Sequence, residues 1–149
     1  VGIRLKKLNQ KNLNKYLDDF LECLGAFGQT KVTRPHARLL LKSKRALGHI
    51  VLIAVKYDRV IGTATLIIEP KFLRSGSVVG HIEDVAVIEK ERKNGIGKFL
   101  VERLCKIAKS KNCYKVILDC ADHNMHFYEG CGFHKHENCM RIDLGDKNV

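Results

Sequence analysis

The stretch from His81 to Leu100 constrains the fold more than any other part of the chain. Its first half is strand-like. Ile82, Val85, Val87 and Ile88 are β-branched, and two carboxylates, Glu83 and Asp84, stand among them. Its second half opens a helix whose apolar positions, Ile96, Phe99, Leu100, Leu104, Ile107 and Ala108, recur at spacings of three and four. Between the two lies Arg92-Lys93-Asn94-Gly95-Ile96-Gly97, followed by Lys98. Glycines let a ligand approach the backbone closely, and the free N–H groups at a helix start attract phosphate. The pattern therefore reads as a pyrophosphate seat on a strand–loop–helix corner. It is not a P-loop, because the Gly-x4-Gly-Lys-Ser/Thr spacing is absent, and it lacks the third glycine of a dinucleotide fingerprint.

A chain of 149 residues with 45% apolar content predicts one domain, residues 1–149, with a real core. No apolar run approaches the ~20 residues that span a bilayer, and no signal-peptide pattern is visible. The formal net charge of +11 suits a polyanionic partner: nucleic acid, an anionic membrane or a phosphate-rich small molecule. That charge is spread along the chain and there is no Trp, which weakens a base-stacking platform for nucleic acid. Six cysteines raise the question of metal. Cys120-x2-His123-x2-His126 and Cys131-x2-His134-x-His136 do not follow a standard zinc spacing, so no metal is expected.

Read in order, Ile3 and Leu5 flank Arg4 in a short first strand. Asn9 or Asn12 caps a helix with the stripe Leu13, Tyr16, Leu17, Phe20, Leu21 and Leu24, ended by Gly25 and Gly28. Thr33 with Pro35 starts a second helix through Leu39, Leu40 and Leu41, stopped by Gly48. A hairpin follows, residues 50–55 and 60–69, turning at Tyr57-Asp58-Arg59. Residues 70–80 read as a loop, 79–88 as the central strand, 95–111 as the long helix, 115–120 as the next strand and 123–129 as a short helix. A last strand is expected around 139–144. The fold class is α/β (α+β), a mixed central sheet flanked by helices, in the order β-α-α-β-β-β-α-β-α-β, with a right-handed βαβ crossover around the long helix.

Three ordered motifs carry a resemblance: Gly80-His-Ile-Glu-Asp-Val-Ala-Val, Cys113-Tyr-Lys-Val-Ile-Leu-Asp-Cys120 and Asn124-x-x-Phe-Tyr-Glu-x-Cys-Gly-Phe133. With the Arg92-x-x-Gly95-x-Gly97 loop, they resemble the GNAT acetyltransferase superfamily and, within it, the eukaryotic glucosamine-6-phosphate N-acetyltransferases. The resemblance implies the GNAT fold. It also implies acetyl transfer from acetyl-CoA to the 2-amino group of glucosamine 6-phosphate, by direct attack in a ternary complex, for UDP-N-acetylglucosamine synthesis. In the motif, Val85, Ala86 and Val87 match the strand that holds the pantetheine arm, and Arg92, Lys93, Asn94, Gly95, Ile96, Gly97 and Lys98 match the pyrophosphate loop. Asn124, Phe127 and Tyr128 match the cofactor-side motif, with Tyr128 near the CoA sulfur, where a phenol can stabilise or protonate a departing thiolate. Glu83, Asp84, Val85 and Asp119 match the sugar side, and Glu83 and Asp119 are candidates for taking the ammonium proton. Lys71, Phe72, Leu73 and Arg74 match a segment that helps bind the sugar phosphate.

Two departures stand out. A threonine usual near the end of the first helix is replaced by Gly25, and a phosphate-binding arginine on the last strand is replaced by Asp143. Arg141 lies two residues before it, on the same side of a strand, and could substitute. The resemblance further implies a homodimer with an exchanged C-terminal strand. It implies a cytoplasmic protein, with an organelle such as a glycosome left open, and neither nucleic acid nor membrane as partner. Two other readings stay open. One is a GNAT enzyme for another amine, a protein lysine or an N-terminus. The other is a basic nucleic-acid-binding module.

Overall fold

The computed structural model describes residues 2–145. The chain packs as two units, Val1–Leu118 and Asp119–Val149. The first holds five strands, β1 (Arg4–Lys7), β2 (Ile50–Lys56), β3 (Arg59–Pro70), β4 (Val78–Val87) and β5 (Cys113–Ile117), in the spatial order β1-β2-β3-β4-β5. The first four are antiparallel, and β4 and β5 are parallel. The helices of this unit are α1 (Leu13–Leu24), α2 (Arg34–Ala46), a single distorted turn α3 (Leu73–Gly76) and the long α4 (Ile96–Ser110).

Local signals set the ends of these elements. Before α1, Asn9 and Asn12 hydrogen-bond reciprocally: the Asn12 side chain accepts from the Asn9 N–H at 2.8 Å, and the Asn9 side chain accepts from the Asn12 N–H at 3.1 Å. Two backbone donors in the turn just ahead of the helix are thus satisfied together. Thr33 caps α2, its hydroxyl accepting from the His36 N–H. At the other end Gly48 takes φ +75°, and the Gly48 and His49 N–H groups turn back onto the Arg45 and Lys44 carbonyls. That backward pair of bonds needs a left-handed residue, which is what a glycine supplies.

The sheet is covered on both faces. Leu13, Tyr16, Leu17 and Cys23 of α1 and Ala37 of α2 pack against Val51, Ile53, Val55 and Val60. On the other face, Ile96 and Leu100 of α4 lie over Gly62, and Ala108 lies over Gly80. A Cβ on Gly62 would come within 3.2 Å of Ile96, Leu100 and the Ala86 carbonyl oxygen, so the bare strand backbone is what lets α4 sit so close. Leu100, Leu104 and Ala108 are wholly buried.

The structure redraws three segments. Pairing of β3 with β4 continues to Pro70–Val78, so the loop expected over 70–80 shrinks to 71–77. The strand expected over 115–120 runs earlier, over Cys113–Ile117. The second unit carries a short turn, Asp122–Asn124, and the helix α5 (Met125–Glu129), but no strand among its described residues. The last strand expected around 139–144 is therefore not formed, and Met140, Ile142 and Leu144 stand at 79% exposure or more. A strand needs a neighbour to satisfy its N–H and C=O groups, so alternation alone cannot make one.

Candidate active site

The first half of the site is a fault in the sheet. Gly62 and Thr63 of β3 face Val87 and Ala86, but Thr65 faces Glu83. Two steps on β3 therefore match three on β4, and an extra residue bulges out at Asp84–Val85. Asp84 takes φ +52°, a left-handed conformation that a non-glycine residue adopts at a cost. The bulge breaks the in–out alternation where the chain carries its two carboxylates. Glu83 is half-buried and Asp84 exposed.

The second feature is an unpaired edge. β5 pairs with β4 only from Val78 to His81. Beyond that point, no strand of this unit bonds to the outer side of β4 among the described residues. Ile88 donates its N–H to the Ile61 carbonyl at 3.0 Å, so by alternation the Val87 backbone points to the open edge. The Val87 carbonyl there accepts from Arg92 Nε at 3.0 Å. An extended ligand with amide groups can pair with such an edge as an added strand would.

The third feature lies immediately downstream. A short turn, Glu89–Glu91, leads into the loop, where Lys93 (φ +66°) and Gly95 (φ +78°) both take left-handed conformations and bring the chain to the start of α4. No side chain caps this helix and its first turn holds no acid. The N–H groups of Ile96, Gly97 and Lys98 thus meet no acceptor within the helix, and the dipole adds positive potential. Arg92, Lys93, Asn94, Gly95 and Lys98 are exposed, Gly97 is half-buried, and Ile96 is buried against the sheet as the anchor. Space is open around the Gly95 Cα. The turn before the loop is tied down by Lys56, whose Nζ lies 3.0 and 3.1 Å from the two Glu91 carboxylate oxygens. Sequence reasoning missed that brace, because its partners are 35 residues apart.

The basic loop is also more structured than its sequence suggests. Lys71 Nζ and His81 Nε2 each lie 2.5 Å from a different oxygen of Glu69. These two contacts, Lys71 first, hold the Glu69 carboxyl below the usual carboxylate range. Arg74 sits 4.8 Å above the Tyr114 ring centroid. Arg74 and Ser75 both take left-handed conformations, and Phe72 and Leu73 stand out into solvent. Glu69, His81 and Tyr114 were not singled out by sequence. The signal that could have found the first two is the hairpin register, which puts Ile67 opposite His81 and Glu69 opposite Val79.

The remaining candidates belong to the second unit. Asp119 and Asn124 are exposed, and Asn124 precedes α5. Tyr128 is half-buried within a ring cluster, its centroid 4.9 Å from Phe127 and 6.1 Å from Phe133, both edge-on. The Phe133 and Cys131 N–H groups both donate to the Tyr128 carbonyl at 3.0 Å, which closes the helix end and brings the rings together. Arg141 pairs with Asp143 through Nε at 2.8 Å, so the acid at the departing position engages the candidate substitute. Among the described residues no group of three His, Cys, Asp or Glu side chains could hold a metal ion.

A bulged strand, an open edge and a basic helix start follow one another along the chain, an arrangement with the chemistry to receive an extended amide arm ending in a pyrophosphate. The model of the acetyltransferase (GNAT) family matches residues 13–133. The chain belongs to this family. Members of the GNAT family use acetyl-CoA as acetyl donor. The glucosamine 6-phosphate N-acetyltransferase of Trypanosoma brucei brucei is 54% identical over 86 residues, which span 58% of this chain and 58% of that protein. Glucosamine 6-phosphate N-acetyltransferase 1 of Dictyostelium discoideum is 32% identical over 147 residues, covering 96% of this chain and 92% of that protein. The crystal structure of glucosamine-6-phosphate N-acetyltransferase from Arabidopsis thaliana superposes with a TM-score of 0.89 at 33% identity, over 97% of this chain and 100% of that one.

Proposed function

We propose that this GNAT chain transfers the acetyl group of acetyl-CoA to the 2-amino group of glucosamine 6-phosphate. The observation that carries the reading is the bulge at Asp84–Val85 beside the unpaired edge of β4, which leads straight into the Arg92–Lys98 loop. The relatives named above, which include one matched along 92% of its length, supply the acceptor.

Acetyl-CoA supplies an activated thioester. The loop N–H groups of Ile96, Gly97 and Lys98, with the cations of Arg92 and Lys93, hold its pyrophosphate. Val85, Ala86 and Val87 hold the pantetheine arm along the open edge. Asn124 and Phe127 support the cofactor side. A hexosamine arrives as an ammonium ion, so a base must take its proton before nitrogen can attack. Glu83 and Asp119 are the candidates, with Asp84 and Val85 beside the sugar. The Tyr128 hydroxyl gives a proton to the departing thiolate, or stabilises it. Lys71, Phe72, Leu73, Arg74 and Arg141 belong to the sugar-phosphate pocket, where cations offset the phosphate charge. The exposed alternation Met140, Ile142, Leu144 supports a homodimer in which this segment becomes a strand in the partner's sheet.

The test is thiol release from acetyl-CoA with glucosamine 6-phosphate, glucosamine or a lysine peptide as acceptor. The proposal expects the phosphorylated sugar to be the preferred acceptor by kcat/KM. A lysine peptide outperforming it would overturn the acceptor assignment. Tyr128→Phe should lower kcat with little change in acetyl-CoA affinity; an unchanged kcat would make Tyr128 a packing residue.

A further inference from the structure

Helix α2 carries an apolar ridge that the sheet does not use. Its inward contacts are Ala37, which is buried, and Leu41, which packs on the α1 side of the core. Leu39 and Leu47 are 63% and 65% exposed, and Leu40 is 44% exposed. At 100° per residue these three share the outward face with His36, Ser43 and Ala46, all exposed, and no Lys, Arg, Asp or Glu interrupts them. The flanks are basic. Exposed Lys42 lies beside Leu39 and exposed Arg45 further round that side, while half-buried Lys44 lies beyond Leu40 on the other, and none has a carboxylate partner among the described residues. The helix contains no acid at all.

We propose that α2 is a peripheral docking face for an anionic lipid surface, with the leucine ridge entering the headgroup boundary and Lys42, Lys44 and Arg45 meeting lipid phosphates and carboxylates. A basic helix with an apolar outward stripe is the arrangement that lies in a membrane interface. A second copy fits less well, because two such ridges face to face would bring unpaired cations against each other. A protein partner fits less well too, because a single convex helix offers no groove to receive a side chain. No described helix is long and apolar enough to cross a membrane, so the contact is superficial. Composition alone suits several kinds of polyanionic partner and singles out no surface, because the charge is spread along the chain. The fold gathers one acid-free share of it around exposed leucines.

The full chain should float with phosphatidylcholine vesicles that contain phosphatidylserine and not with vesicles of phosphatidylcholine alone. Each basic residue near an anionic surface is worth about fivefold in partitioning, so Lys42→Gln/Lys44→Gln/Arg45→Gln should weaken binding on the order of a hundredfold. Leu39→Ser/Leu47→Ser should weaken it at least about tenfold, through lost apolar burial. Both variants should keep the wild-type unfolding midpoint and sedimentation behaviour. Lys106→Gln/Lys109→Gln on α4, the control, should change binding by less than about twofold beyond general charge screening. The proposal is overturned by failure to float, or by an equal loss in the control, which would mean nonspecific attraction of a basic protein. It is also overturned if the α2 variants change the sedimenting mass, which would make the ridge a contact between copies.

Discussion

Gly62→Ala tests the link between sheet packing and the proposed cofactor loop. The added methyl would meet three atoms at 3.2 Å: the Ala86 carbonyl oxygen, Ile96 Cγ2 and Leu100 Cδ1. The two side chains can shift by a few tenths of an ångström only by lifting α4, because Ile96 and Leu100 are both buried on its inner face. The carbonyl belongs to β4, which is locked to β3 on either side of it. Overpacking of this kind costs about 1–3 kcal/mol, while replacing glycine in a strand returns about 0.4–1 kcal/mol through the unfolded chain. A net loss of about 1.5 kcal/mol, with a urea m-value of about 2 kcal/mol/M, lowers the unfolding midpoint by about 0.7 M. Ile96 is also the first residue of the helix whose N-terminus is proposed to seat the pyrophosphate. The KM for acetyl-CoA should therefore rise several-fold while kcat falls less. Urea unfolding followed by circular dichroism and a steady-state assay measure the two effects. A midpoint within about 0.2 M of wild type, with an unchanged KM, would refute the claim that bare backbone at Gly62 sets the position of α4.

Leu104→Ala should cost about 3–5 kcal/mol by chemical denaturation, because Leu104 is wholly buried; a loss under about 1 kcal/mol would mean the site collapses freely. Burial pushes the Cys23 thiol up to about 12, with Glu22 and Asp19 adding to it, so at pH 8 a thiol reagent should modify exposed Cys120 well before Cys23 in the folded protein, as read by mass spectrometry of timed digests. Burial, and secondarily Lys44, holds the His49 imidazole below its usual 6.5. The unfolded chain therefore takes up that proton first as pH falls below 6.5, and the wild type loses stability there. His49→Gln should flatten the stability–pH curve just below 6.5, and parallel curves for the two proteins would exclude His49 as the cause.

Features that depend on neighbours a few residues away are written into the local sequence. Thr33 before Pro35, the glycine stop at Gly48 and the three-four spacing from Ile96 to Ala108 specify their helices because caps and amphipathic stripes are local physics. The motifs that mark the family were equally legible, since they depend on residue type and order. Other features came only with tertiary structure. The bulge at Asp84 exists because β3 and β4 are held in register on both sides of it, and strand register is a property of a pair. The open edge of β4 exists because β5 stops pairing at His81. The contacts Lys56–Glu91 and Glu69–His81 join residues distant in the chain. The run Leu39-Leu40-Leu41 reads as one apolar patch, yet one residue faces inward and two face water, because the position of α2 against α1 decides which side of a helix is inside. The alternation at Met140, Ile142 and Leu144 shows the same limit from the other side: the pattern permits a strand, and only a partner edge makes one.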